Sequence, residues 1–491
     1  MKRREFISAG LALASSWPFR GWTAALENVG DVAAKSLDGG DLLLRGSSIE
    51  DLAARLRGDV LLAGHPDYDR TRRIWNGMFD KRPALIARCT GASDVRHAVE
   101  FAREHGILTA VRAGGHSVSG KSTADGGLMI DLQRMQGVRV DPAAKRAYLE
   151  SGSLLGQLDH ESTAHGLATT AGTFSITGAA GLTLSGGFGR LGRRFGLACD
   201  NVASFDVVTA DGRFLRASND ENSDLFWGLR GGGGNFGVVT AIEYRLHPVN
   251  PVVYGGYVDW PIDQARDAMR LYRDMALEAP EVVNLIPLLF WDGDSPVFTV
   301  GVCWSGDHAE GEAWLERLRR FGKPLQDTLK PTPYVRIQSA GDASAPDGIH
   351  CYAKNGFVGA LTDDGIDLML DVFQRSPGLY DMFMDHCGGA YARVPREATA
   401  FPRRDMAFIL AIWSGWKERE GADEKVAQMR AIWKELEPLT QGFYTNYDGS
   451  DPVSARDREN FGANFERLVA VKTKYDPTNL FRLNANVPPK T

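Results

Sequence analysis

The sequence predicts an α+β fold with two regions. In the first, short strands and helices are interrupted by glycine-rich loops. The second is an antiparallel sheet with helices on one face. Three observations carry this reading. Short apolar runs alternate with amphipathic helical stretches along the chain. The string His247-Pro248-Val249-Asn250-Pro251 breaks that pattern and marks a boundary. Glycine supplies 55 of 491 residues, above the roughly 7% typical of proteins. It clusters at 112–126, 172–192 and 228–237, where the backbone must approach something closely.

Taken in order, Ala84 to Ala87 reads as a strand and Ala92 to His105 as a helix, with Ser93 placed to cap it and Gly106 to close it. Leu108 to Arg112, Leu128 to Leu132 and Arg146 to Glu150 read as strands, and Leu154 to His165 as an amphipathic helix. Phe205 to Thr209 and Arg213 to Ala217 flank Asp211-Gly212 as a hairpin. Leu225 to Leu229 is a short helix and Gly237 to Leu246 a strand. Beyond the boundary, strands are expected at Val252 to Trp260, Asn284 to Trp291, Val297 to Trp304 and Met406 to Trp416. Helices are expected at Gln264 to Glu278, His308 to Phe321, Asp363 to Gln374 and Asp423 to Leu436, with a last one at Asp457 to Tyr475.

Composition excludes several classes. Hydrophobic residues at 43% and charged residues at 24% are ordinary for a globular chain. A net charge of −6 offers no bulk basic surface and argues against nucleic acid as a partner. Five widely spaced cysteines without a CxxC exclude a disulfide scaffold and the usual zinc spacings, so no metal is expected. Residues 1–25 open on Lys2-Arg3-Arg4-Glu5-Phe6, continue as a mildly apolar run and end in Thr23-Ala24-Ala25. This is the layout of an export signal of twin-arginine type, implying the export machinery as a partner and a periplasmic or secreted location. The apolar run is too short to span a membrane, and no other segment approaches a span.

Gly232-Gly233-Gly234-Asn235-Phe236-Gly237 fits GxGxxG, but a helix precedes it and a strand follows, the reverse of a dinucleotide-binding turn. No P-loop, metal-spaced His pair or GxSxG is present. The loop Arg112-Ala113-Gly114-Gly115-His116-Ser117, running on to Gly120, follows a strand. Its bare backbone N–H groups make an anion-binding concavity. Arg112 is placed to add charge to a pyrophosphate site, and His116 sits where a cofactor would lie.

Together with Gly172 to Gly189, Asp200-Asn201, Gly231 to Thr240 and Tyr475-Asp476-Pro477-Thr478-Asn479-Leu480-Phe481-Arg482, this loop resembles the berberine-bridge-enzyme-like FAD-linked oxidases. These belong to the vanillyl-alcohol-oxidase/PCMH flavoprotein superfamily. The resemblance spans about Arg82 to Pro489 and is nearest to the mono-covalent bacterial type. It implies a lead-in at 26–80, a PCMH-type two-subdomain FAD-binding domain at 81–250, a substrate domain at 251–438 and a C-terminal segment, 439–491, that returns to the FAD domain.

The resemblance also implies FAD bonded covalently through His116 only, because Phe174 falls where bicovalent relatives carry a cysteine. Cys199 is then a small buried hydrophobe. Gly172, Thr173, Gly178, Gly181, Gly186 and Gly189 would line the cofactor. Val239 would bring a backbone group to its adenine or ribose half, and Asn484 and Asn486 stand for the polar pair near the flavin ring. Thr177 falls at the position that governs oxygen access.

Phe443-Tyr444-Thr445-Asn446-Tyr447 resembles the family's catalytic segment. There Tyr444 would take the substrate proton, with Asn446, Arg393 or Arg404 stabilising its anion. Tyr391 is a secondary choice for the substrate wall, His386 is structural, and Trp291, Trp304, Trp413 and Trp416 are available to line the pocket. The implied function is an oxidase that removes hydride from a C–H next to O or N of a small organic or sugar-like substrate and passes electrons to O2. The alternatives are a dehydrogenase with another acceptor and a flavin-free binding protein.

Overall fold

The computed structural model describes residues 26–449, 458 and 460–490; the expected export signal lies outside them. The buried strands Leu85–Arg88 and Thr109–Arg112 both lie parallel to Leu128–Asp131. The helix Ala92–His105 makes the crossover, burying Val95, Ala98, Val99 and Ala102 at helical spacing against this sheet. It closes at Gly106, whose φ of +58° suits glycine. Its N-cap is Gly91, not Ser93. The Asp94 carboxylate instead accepts N–H bonds from Arg57, Gly58 and Thr90, tying two loops to the helix start. The lead-in contributes more than the sequence suggested. Val32–Lys35 and Asp41–Leu44 form a hairpin, Gly46–Arg55 a helix, and Asp59–Leu61 an edge strand antiparallel to Leu85–Arg88.

The second sheet is antiparallel, in the order Phe214–Ser218, Val202–Val208, Val238–Arg245, Arg146–Glu150, Val138–Asp141. Its inward residues, among them Phe205, Ile242 and Leu149, share a core with Phe226 of the helix Ser223–Leu229 and with Leu468, Val471 and Tyr475. The last three belong to the helix Phe465–Tyr475, so the C-terminal segment completes this core. Beyond it, Leu480 and Phe481 enter the core of the first sheet, and Val487 returns to the second. At the crossing, Lys472 and Asp476 are both 0% exposed and paired at 2.6 Å. Lys472 Nζ also donates to the carbonyls of Asn235 and Phe481. The Asp476 carboxylate accepts the N–H groups of Leu480 and Phe481.

The third sheet is antiparallel throughout. Its main order is Gln326–Asp327, Val252–Pro261, Ser295–Trp304, Val283–Asp292, Asp381–His386, Phe408–Trp416, His350–Val358, with Lys330–Pro333 also on Val252–Pro261. One face packs under the helices Ile262–Glu278, His308–Arg319, Asp363–Gln374 and Ala422–Leu436. The other face is turned to the glycine loops. Two short helical turns, Tyr334–Gln338 and Asp342–Ser344, leave the sheet and cross to the first region. Gln338 Nε2 donates to the carbonyls of Ala171 and Gly172, and the Ser175 N–H donates to Asp342. Trp75 Nε1 donates to the Ala345 carbonyl, while Asn76 exchanges bonds with the Cys351 backbone. These contacts hold the open face of the sheet against the loops.

Candidate active site

Between the third sheet and the glycine loops lies a cavity of about 510 Å³, within the ~300–1,000 Å³ of small-molecule sites. Ala113, Gly114, Gly115, His116 and Ser117 line it from the first loop. Gly172, Thr173, Thr177, Gly178 and Gly181 line it from the second, with Val239 and Asn484 beyond. The two loops touch backbone to backbone: a Cβ on Gly114 would stand 2.3 Å from the Gly178 Cα. Gly232, Gly233 and Gly234 add bare backbone, held by Asn235 and by Asn484 Nδ2, which donates to the Gly234 carbonyl.

Five expected cofactor contacts lie off the wall. Arg112 pairs with its strand neighbour Asp131 at 3.0 Å and donates to the Arg73 carbonyl, so its charge is already neutralised by protein. Gly120 packs on the Phe79 ring, Gly186 on Phe401, and Gly189 on the Gly172 backbone. These glycines let loops pack; they do not admit a ligand. Asn486 lies behind Leu483, Asn484 and Ala485, which form the wall there.

His116 stacks on Trp75 with ring centroids 4.1 Å apart and planes 14° apart. Its Nε2 is buried without a hydrogen-bond partner. Burial lowers its pKa to about 4, so at neutral pH the imidazole keeps a free lone pair. Phe174 lines the cavity. Cys199 is buried away from the wall, and burial pushes its thiol up, as expected for an inert side chain.

Tyr444 lines the cavity with Asn446. Its Oη accepts hydrogen bonds from Asn446 Nδ2 at 2.7 Å and from the Gly187 N–H at 3.2 Å. Asn355 fixes its backbone through both N–H and carbonyl, at 2.7 and 3.0 Å. Phe188 and Tyr447 meet its ring edge-on, each with centroids 5.0 Å away. Burial pushes the phenol above its ordinary value, and the two donors pull the other way. Neither suggested arginine serves it. Arg393 pairs with Glu281 at the surface, and Arg404 makes a fork to Asp200 at 2.7 and 2.8 Å. Tyr391 donates to the Arg403 carbonyl inside a packed cluster and forms no part of the wall. His386 contacts the Ala276 carbonyl, a structural role. Of the four tryptophans only Trp413 faces the cavity; Trp291, Trp304 and Trp416 belong to the helix-covered side.

Sequence reasoning missed Arg190, Asp381 and Asp385 on the wall and Asn355 behind Tyr444. The two aspartates lie on a strand that was not anticipated, and Asn355 on another. Among the described residues no group of three or more His, Cys, Asp or Glu could hold a metal, and no helix is long and apolar enough to cross a membrane.

Bare-backbone loops, a neutral histidine at their tip and a buried tyrosine facing them from the 443–448 segment fit a flavin, and they define a flavoprotein oxidoreductase. Residues 83–218 match the FAD binding domain family and 443–488 the berberine and berberine-like family. An FAD-linked oxidoreductase of Dictyostelium discoideum is 30% identical over 447 residues, covering 90% of this chain and 97% of its own. The (R)-6-hydroxynicotine oxidase of Paenarthrobacter nicotinovorans is 30% identical over 462 residues, covering 89% and 97%. The crystal structure of 6-hydroxy-D-nicotine oxidase from Arthrobacter nicotinovorans superposes with a TM-score of 0.82 at 28% identity, over 89% of this chain and 98% of that one. The chain belongs to the berberine-bridge-enzyme-like family of FAD-linked oxidoreductases.

Gly114→Ala tests the contact of the two loops. The added methyl would force Gly178 away, and the purified variant should carry much less FAD per chain by its visible absorbance. Full flavin content would show that the approach is not needed.

Proposed function

We propose that this enzyme is an oxidase that removes hydride from a C–H next to O or N of a small organic or sugar-like substrate, with dioxygen reduced to hydrogen peroxide. The observation that carries this reading is Tyr444, buried on the cavity wall with two N–H donors on its oxygen. FAD, when bound, supplies the ring that accepts the hydride. Asn446 and Gly187 occupy two directions on Oη and stabilise negative charge there, so Tyr444 is suited to take a proton from the substrate. Asn355, Phe188 and Tyr447 prevent the ring from swinging away. Thr177, similar in size to valine, lines the cavity at the position that the family resemblance associates with oxygen access. The names of the nicotine-oxidising relatives agree with an oxidase.

The phenol sits above its ordinary value, so its basic form is scarce at neutral pH and grows as pH rises. Flavin reduction by substrate should therefore quicken from about pH 7 to 10. Tyr444→Phe should retain FAD, slow reduction by about 10²–10⁴-fold and abolish the climb. An unchanged rate in stopped-flow reduction removes Tyr444 from the chemistry.

We further propose a single covalent bond from a ring nitrogen of His116 to the flavin 8α carbon. The neutral imidazole and the absence of a cysteine at Phe174 support it. Acid-denatured protein should be heavier by one FAD in an intact-mass spectrum, and His116→Ala should lose that increment while still binding some FAD. A retained increment would refute the assignment.

The arginine pair and small-residue stretch of residues 1–25 support export as a folded holoprotein. Arg3→Lys with Arg4→Lys should trap full-length protein in the cytoplasm of a bacterium with twin-arginine export. Normal periplasmic yield, read by N-terminal sequencing, would reject the signal.

A further inference from the structure

The strand Asp381–His386 alternates strictly. Met382 and Met384 point into the helix-covered core, and Asp381, Phe383 and Asp385 line the cavity. Trp413 lies directly opposite Asp381 on the neighbouring strand. Phe383 meets Tyr447 edge-on with centroids 5.8 Å apart. This end of the cavity therefore sets two carboxylates beside the rings of Phe383, Trp413 and Tyr447.

Only one of the two has partners in the protein: Asp385 has a hydrogen bond with Tyr447 and the field of Arg190. Asp385 is 6% exposed, and its Oδ2 has no hydrogen-bond partner. Arg190, also on the wall, is the cation whose field reaches it. No cation reaches Asp381, which among the described residues makes no hydrogen bond or ion pair. A carboxylate in such a place is normally paired. One negative charge remains over, beside aromatic faces that attract cations. Ile286 and Leu288 flank this end, together with the hydroxyls of Tyr257 and Thr299.

We propose that the substrate is an amine that enters as a cation, one basic nitrogen on an apolar or aromatic body, and that Asp381 recognises that nitrogen. This rests on the oxidase reading and narrows it from oxygen or nitrogen to nitrogen. The charges agree along the reaction. The ammonium proton leaves to the Tyr444 oxygen, the neutral amine gives up hydride to FAD from the adjacent C–H, and the product is an iminium cation. Positive charge thus faces Asp381 before and after. Burial brings this carboxyl up to about 6, so it is ionised at neutral pH.

The test uses the holoenzyme and benzyltrimethylammonium, a permanent cation with no lone pair to oxidise, with benzyl alcohol and cellobiose as neutral comparators. Binding is read from the change in the flavin's visible spectrum. The cation should bind more tightly than either neutral compound. Asp381→Asn should weaken it about tenfold or more, with flavin content and benzyl alcohol binding unchanged, and Asp381→Glu should stay close to the parent. Tighter binding of benzyl alcohol or cellobiose, or an unchanged cation affinity in Asp381→Asn, overturns the proposal. Because binding is read without turnover, it is separable from the oxidase reading, which fails instead if the flavin-loaded enzyme is reduced by no amine, alcohol or sugar.

Discussion

The flavin site depends on one buried ammonium. Lys472 Nζ has three N–H bonds to satisfy and no water to satisfy them. It spends them on Asp476, on the Asn235 carbonyl of the third glycine loop and on the Phe481 carbonyl of the tail. Its position is thereby fixed by two points of its own tail and by one loop 237 residues earlier in the sequence. The Asp476 pair is local to the tail; the loop is held by the bond to the Asn235 carbonyl, and a hydrogen bond from a charged group contributes about 1.5–3 kcal/mol. Asn235 continues the network: its side chain donates to Gly232 and Ala485 and accepts from the Val487 N–H. The cofactor cradle is thus braced from behind by polar bonds, while the surface facing the ligand is bare backbone.

The substrate sheet solves a different problem. Its period of two gives one face to helices and one to the cavity, so core and pocket are built from the same strands. Polar residues inside these strands have local tasks. Asn355 replaces a ladder of backbone bonds to the 443–448 segment and so sets the height of Tyr444. The crossing segment at 334–345 then locks the sheet to the loops, through Gln338 under Gly172 and through Ala345 on Trp75, the ring that carries His116.

Elements with plain periodicity were legible in the sequence. Ala92–His105, Arg146–Glu150 and Asp363–Gln374 fall where spacing and end signals put them. His350–Val358 and Asp381–His386 were not: the polar run Lys354-Asn355-Gly356 breaks the first, and in the second apolar Phe383 shares the cavity face with Asp381 and Asp385, so apolar and polar residues do not alternate. The glycine clusters correctly announced close approach but not what approaches: Gly114 meets Gly178, while Gly120 and Gly186 meet aromatic rings. Arg112 looked like an anion ligand because a single sequence does not reveal that Asp131 stands beside it in the parallel sheet. Tyr444 and Asn446 were recognised from their segment, but the arginines offered to help them are occupied elsewhere.

The bracing of Gly232–Gly234 by residues 472–487 has a temporal side. A ribosome makes the first and second loops, the histidine and the whole substrate sheet before it makes Lys472. Until that lysine emerges, Asn235 lacks the tail contacts that steady the loop, and the second core lacks Leu468 and Val471. The loop and the second core are therefore complete only once residues 468–487 have joined them.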